Sequence, residues 1–296
     1  MNKMTNGEKV FNVANIMLLA MLSIITLYPM YYVVVCSFSD GLELMRTPGV
    51  ILAPIKFNID AYKNVLSNPR IFSGYGVTLF VVCVGTTINI ILTSIAAFLI
   101  TRKKFAIKKP LTYLMLFTMY FSGGMIPTYL VVNNWIGLEN NLFALILPGA
   151  ISVYNMLIMK TNFSSIPQSL EEAALIDGAK DFTILFKIIL PLSKSIIAVM
   201  ALFYGVEHWN SWFKAMLYIK DRSMQPLQSV LREILLISQN NKTMMGEGAL
   251  GADNEIAIGE SIKYATIVVA TFPILCVYPF IQRYFVKGVM IGAVKG

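Results

Sequence analysis

The chain is 296 residues long, 56% hydrophobic and 14% charged, against about 25% charged in ordinary soluble domains. That balance excludes a soluble globular domain and points to a protein whose main solvent is lipid. A net charge of +8, one histidine and three cysteines supply neither a His/Cys/carboxylate cluster of metal spacing nor a disulfide framework.

A helix needs roughly 20 apolar residues to cross a hydrocarbon core about 30 Å thick. Six segments approach or exceed that length: 13–37, 76–100, 111–132, 142–159, 196–219 and 264–285. They predict an all-α polytopic membrane protein, a single transmembrane domain over 1–296 in contact with membrane lipid. The first run is too long for a cleavable signal core and no small-x-small site closes it, so it reads as a retained anchor. Cys36, Cys83 and Cys276 lie in or beside spans and read as small core residues. Between spans one and two, Ile59–Leu66 forms a short amphipathic piece. Span two carries Thr87 and Asn89, and the basic run Arg102-Lys103-Lys104 with Lys108-Lys109 follows it. Gly123, Gly124 and Pro127 interrupt span three, either as a broken helix over a covered cavity or as a helix that ends near Gly123. Span four carries Tyr154 and Asn155.

With the N-terminus in the cytoplasm, segments 1–12, 101–110, 160–195 and 283–296 are inside and hold 14 Lys/Arg against 5 Asp/Glu. Segments 38–72, 133–141 and 220–263 are outside and hold 9 against 10. This is the expected bias of cytoplasmic loops, with both termini inside. The basic charge is therefore a topology signature, and no nucleic-acid partner is expected.

The inside loop 160–195 is ordered by its own residues. Ser169 and the glutamates after it read as a capping box, Ala173 and Ala174 favour a helix with a small face, and Gly178 suits the left-handed residue after a helix. Asp181 is placed to cap a second helix, and Pro191 disturbs that helix as the chain re-enters the membrane. Helix, tight turn, helix and kink make either a docking element for a soluble motor or a surface hairpin with no partner.

Span five concentrates unusual polarity in Glu207-His208-Trp209-Asn210-Ser211-Trp212. A carboxylate at mid-bilayer costs roughly 2.5–3.5 kcal/mol on insertion scales, so Glu207 should face protein or water. Trp209, Asn210 and Trp212 are residue types that hold sugars. On one continuous helix His208 and Trp212 share a face and Asn210 lies nearly opposite, so the cluster does not point into one pocket. The candidate pathway set is Glu207, His208, Trp209, Asn210, Trp212, Asn89, Tyr154 and Asn155. Interhelical packing and hydrogen bonding explain the same residues. Outside the membrane, Leu227–Leu236 has helical periodicity and an acidic, Gly-rich stretch from Gly246 to Glu260 follows.

Glu172-Ala173-Ala174, three residues, Gly178, nine residues, Ile188, one residue and Leu190-Pro191 resembles the EAA motif of ABC importer permeases at every defined position. The resemblance covers essentially the whole chain. Tyr32–Ser39, Trp209–Phe213, Pro226–Gln228 and the tail Gly288–Gly296 are similar to the carbohydrate-uptake branch, the smaller permease of maltose-type complex-saccharide importers. The resemblance implies an ABC importer type I permease fold in a bacterial-type cytoplasmic (inner) membrane, with a cytoplasmic coupling loop. It implies that Glu172, Ala173, Ala174, Asp177, Gly178, Ala179, Leu190 and Pro191 dock an ATPase, and that the tail runs along the ATPase pair. The implied partners are a second homologous permease subunit, two ATPase subunits and an extracytoplasmic solute-binding protein. The chain has no G-x-x-x-x-G-K-[ST] phosphate loop, so no cofactor is expected on it; ATP and Mg would be bound by the partner ATPase. The expected function is a non-catalytic permease for an oligosaccharide or related polyhydroxylated solute. The alternatives are an ABC permease for peptide or another polar solute, or an ion-coupled secondary transporter centred on Glu207.

Overall fold

The computed structural model describes residues 5–47, 49–102, 105–244, 259–277 and 279, and among them it is helical with no strand. In chain order the helices are α1 (Asn6–Ser37), α2 (Gly41–Arg46), α3 (Asp60–Ser67), α4 (Pro69–Thr101), α5 (Lys108–Tyr120), α6 (Met125–Leu130) and α7 (Phe143–Ile146). Then come α8 (Val153–Ser164), α9 (Gln168–Ile176), α10 (Asp181–Ile184), α11 (Leu190–Leu192), α12 (Lys194–Trp209), α13 (Trp212–Tyr218) and α14 (Leu227–Met244). The last described helix is α15 (Gly259–Val277). Wider π-turns occupy Val131–Trp135 and Leu185–Ile189.

Helices α1, α4 and α15 are each long and apolar enough to cross a membrane, and the spans number up to six if each of three bent pairs is one span. Lys108–Tyr120 and Met125–Trp135 meet at 115°, Phe143–Gly149 and Val153–Ser164 at 56°, and Asp181–Leu192 and Lys194–Trp209 at 88°. In span three the helix is broken and resumes: Gly124 adopts φ +90°, and Pro127 falls in the first turn of α6, where its missing N–H costs nothing. In the segment leading to span five, Pro191 cannot donate to the ladder. The chain answers with the π-turn ahead of it and the sharp bend at Ser193.

The chain divides into two compact units, Met1–Pro69 with Glu233–Phe272, and Arg70–Arg232 with Pro273–Gly296. In the first, α1 starts from a capping box: Thr5 Oγ1 accepts from the Glu8 N–H at 3.3 Å, and the Thr5 N–H donates to Glu8 Oε2 at 2.7 Å. Apolar side chains from Val10 to Val34 are left exposed along α1, a state that is stable only against lipid or another membrane surface. Val35, Cys36 and Ile51 are buried with Tyr32, Leu44, Ile55 and Tyr264 around them.

In the second unit α4 is the central post. Its buried residues include Gly74, Thr78, Val81, Gly85, Asn89, Thr93, Ala97 and Ile100, a stripe at helical spacing made mostly of small or hydrogen-bonding residues, as close helix approach in lipid requires. Gly74 lies against the Leu227 backbone, and the Leu227 N–H donates to Thr78 Oγ1 at 2.8 Å. A large core joins Ala97, Phe98 and Ile100 of α4 to Met156, Met159 and Phe163 of α8. Ile184, Leu185 and Ile189, and Val199, Met200 and Tyr204 of α12, complete it. On the far side, Asn140 takes φ +53° and its Oδ1 accepts from the N–H groups of Lys220 and Asp221. Lys220 also pairs with Glu139. The pairing holds the Glu139 carboxyl below, and the Lys220 ammonium above, its ordinary range.

Residues 245–258, 278 and 280–296, with Lys103 and Lys104, lie outside the described residues. So do most of the acidic stretch expected at Gly246–Glu260, the end of span six, and the tail Gly288–Gly296.

Candidate coupling loop and polar joint

Helix α9 begins after Pro167 and carries no side-chain cap. The capping box expected at Ser169 is absent because the helix starts before it, which puts Ser169 inside the first turn. The Glu171 carboxylate instead accepts from Arg102 Nη2 at 2.6 Å, just beyond the end of α4. The end of α9 matches expectation closely. Gly178 has φ +78°, the Gly178 N–H donates to Leu175 O at 3.1 Å, and the Ala179 N–H donates to Ala174 O at 2.9 Å. This is the two-bond stop that a left-handed glycine permits, and Ala174 and Ala179 both pack on the large core. Asp181 does not cap α10; it is the first helical residue, after Lys180.

The loop presents a mixed face. Glu172, Ala173, Asp177 and Gly178 are exposed, beside Leu175, Ile176 at 86% exposure, and the stacked rings of Phe182 and Phe186. Pro191 is exposed, while Leu190 is half-buried against the core, so Leu190 steadies the turn from behind. Four of the eight expected docking residues thus lie on the exposed α9–Gly178 corner, Ala174 and Ala179 fix it to the core, and Leu190-Pro191 begin the bend into α12.

The span-five cluster is divided by a break at Asn210–Ser211 between α12 and α13, so the continuous helix assumed for its face geometry is not formed. His208 is 2% exposed, and its Nε2 lies 2.8 Å from Asn89 Oδ1. Asn89 Nδ2 donates to Gly149 O at 2.8 Å and to Ala150 O at 3.1 Å. One turn along, Tyr204 OH and Thr93 Oγ1 are 2.7 Å apart, and the Ser152 N–H donates to Tyr204 OH at 3.1 Å. Spans two, four and five are therefore tied at two levels. Gly85 leaves room for the imidazole: a Cβ there would stand 2.6 Å from His208 Nε2.

The other members lie apart. Glu207 is half-exposed and accepts from Lys214 Nζ at 2.8 Å, so the intramembrane carboxylate has a charged partner. Trp209 is buried edge-on to Tyr75, with ring centroids 6.4 Å apart. The exposed Asn210 donates back to Val206 O. Trp212 lies under the Arg232 guanidinium, whose carbon is 4.3 Å from the ring centre. Tyr154 is 57% exposed, and Asn155 is buried, with its N–H 3.4 Å from Ser152 Oγ. Thr87 Oγ1 donates to Cys83 O of its own helix. The sequence reading missed Gly85, Thr93, Tyr204 and the Arg102–Glu171 pair. The i, i+4 spacing of Gly85, Asn89 and Thr93, matched by Tyr204 and His208, was the available signal. Among the described residues no group of three or more His, Cys, Asp or Glu is arranged to hold a metal.

Residues 89–291 match the model of the family described as binding-protein-dependent transport system inner membrane component. The chain belongs to this family. Its members are transport components rather than enzymes. The polygalacturonan/rhamnogalacturonan transport system permease protein YtcP of Bacillus subtilis is 43% identical over 94% of this chain and 96% of that protein. Protein LplC of the same organism is 42% identical over 99% and 97%. A crystal structure of a bacterial ABC transporter involved in the import of the acidic polysaccharide alginate matches with a TM-score of 0.85. It is 28% identical, over 96% of this permease and 100% of that chain. The fold is thus that of an ABC importer permease.

Proposed function

We propose that this chain is a permease subunit of an ATP-driven importer for oligosaccharides, acidic ones in particular. It lines one part of the pathway and turns closure of partner ATPases into alternating access. The observation that carries the reading is the α9–Gly178–α10 corner, an exposed, stiffly terminated helix whose chain leads through one bend into span five. The acidic class rests on similarity: one relative is named for polygalacturonan/rhamnogalacturonan, and the solved transporter imports alginate.

In this reading the loop 160–195 and both termini are cytoplasmic, and ATP and Mg are bound by the two ATPase subunits. A second permease completes the pathway, and an extracytoplasmic binding protein delivers the solute. The chain supplies no covalent chemistry. It contributes contacts that differ between inward-open and outward-open states, which is the only way binding energy can shift that equilibrium. The Glu207–Lys214 pair weakens the ion-coupled alternative, since its carboxylate is not a lone titratable group.

The test is recovery of the chain from its native membrane in mild detergent, followed by uptake of labelled digalacturonate in reconstituted vesicles. Co-recovery of a second permease and a P-loop ATPase, both reduced by Gly178→Asp, with uptake that requires ATP, supports the reading. Recovery of the chain alone, with uptake that follows an ion gradient without ATP, overturns it.

A further inference from the structure

Helix α9 has no fully buried residue, yet it is the element on which the proposed ATPase would push. Its attachment to the rest of the unit therefore decides where that push goes. One route is covalent, through Gly178, α10, the π-turn and the 88° bend at Ser193 into α12. That route changes direction at the Gly178 turn and again at Ser193. A second route is direct. Arg102 Nη2 and Glu171 Oε1 are 2.6 Å apart, with the side chains only 18% and 16% exposed. The Arg102 guanidinium carbon sits 3.9 Å from the centre of the Phe98 ring, which is 3% exposed within the large core. Phe98 and Arg102 are one turn apart at the end of α4, so the guanidinium is held between a fixed aromatic face and the carboxylate.

We propose that the Arg102–Glu171 pair is the positioning link that makes the end of α4 move with α9, so that span two is driven directly rather than only through the bend into span five. This rests on the reading of α9 as the ATPase-docking helix. The joints Asn89–His208 and Thr93–Tyr204 then close a loop of α9, α4 and α12. A displacement entering at α9 reaches span five from two sides, and the hinge at Ser193 is relieved of carrying it alone. Nothing in the EAA motif requires the link, because Glu171 precedes the motif and Arg102 lies some seventy residues away in sequence.

The experiment uses the complex purified with its partner subunits. Spin labels are placed at Ser169→Cys, in the first turn of α9, and Ile91→Cys, both exposed sites, with Cys83 and Cys276 replaced and buried Cys36 retained. Pulsed dipolar distances are recorded without nucleotide and after trapping with ATP and vanadate. With the native pair, the α9–α4 distance is expected to be the same in both states. In Glu171→Gln it should be unchanged without nucleotide and shift by about 2 Å or more on trapping, the scale of helix shifts in switching proteins. The swap Arg102→Glu with Glu171→Arg should restore the unshifted value. A native complex that shifts on trapping as far as Glu171→Gln, or a Glu171→Gln complex that does not shift, overturns the proposal. So does a shift equal in both states, which marks a static clip. A native complex that carries no ATPase and hydrolyses no ATP defeats the importer reading instead, and is recognised before any distance is taken.

Discussion

Replacing Gly85 by alanine adds one methyl group to an apolar helix in a membrane, a change that a hydropathy scale scores as neutral or favourable. The structure predicts the opposite. The new Cβ would lie 2.6 Å from His208 Nε2 and 2.9 Å from both neighbouring ring carbons, inside van der Waals contact on every side of the ring edge. The imidazole has nowhere to retreat, being 2% exposed and hydrogen-bonded to Asn89. Overpacking of this kind costs about 1–3 kcal/mol. The displaced His208–Asn89 bond adds about 0.6 kcal/mol on the membrane scale. The steric part dominates, and the sum is about 1.6–3.6 kcal/mol, or roughly 15- to 400-fold in the folded/unfolded ratio. The assay is a thermal or denaturant midpoint of the solubilised chain, run as a double-mutant cycle with His208→Ala. Removing the ring should cancel most of the Gly85→Ala penalty, giving a coupling well above 1 kcal/mol. Additive costs, or a Gly85→Ala chain as stable as the parent, would refute the close approach of α4 and α12 at this level.

Gly149→Ala provides the contrast: its Cβ would meet Lys214 Nζ at 3.2 Å, the tip of a flexible side chain that can shift together with its partner Glu207, and should cost under about 1 kcal/mol in the same assay. At Gly178 a Cβ meets nothing within 4 Å, so Gly178→Ala should lose only the left-handed backbone preference, about 1–2 kcal/mol, and Gly178→Asn less; recovery of ATPase with the chain should fall in that order. The Glu139–Lys220 pair sets a pH window. The Glu139 carboxyl is depressed by its bond to Lys220, so its contribution is present above the ordinary Glu value of about 4.3 and is lost as pH falls through the lower folded value. Lys220 is raised by the same bond, so its contribution is present below about 10.4 and is lost as pH climbs through the higher folded value. Glu139→Gln should flatten the acid limb of a stability profile at low salt, and high salt should mimic it; an unchanged acid limb would show that the pair contributes nothing.

Much of the membrane plan was legible because apolar run length is a one-dimensional quantity. The Gly178 turn was legible as well, because a left-handed stop is written in the residue that makes it. What the sequence did not disclose depends on which residues meet across the bundle. His208 and Asn89 read as candidates for the solute pathway and for interhelical hydrogen bonding alike, and the fold shows them bonded to each other, with Asn89 also donating to two carbonyl groups. Ser169 had the right spacing for a cap with Glu172, but α9 begins earlier, at Gln168, so both residues lie inside the helix, and the link from Arg102 to the neighbouring Glu171 comes from a distant part of the chain. The break at Asn210–Ser211 was hidden for a related reason: Asn210 turns its amide back to Val206 O, a local bond that lets an otherwise helical pattern stop.

The two joints across spans two, four and five differ in what each helix lends them. Spans two and five contribute side chains, Asn89 and Thr93 on one and His208 and Tyr204 on the other. Span four contributes only main-chain groups, the carbonyls of Gly149 and Ala150 and the N–H of Ser152. Peptide groups are the same in every sequence. Exposed side chains of span four, Tyr154 among them, can therefore be exchanged while the frame that holds the three helices keeps the same bonds; the buried Met156 and Met159 cannot. A frame tied in this way fixes where the three helices sit without fixing what the exposed face of span four carries.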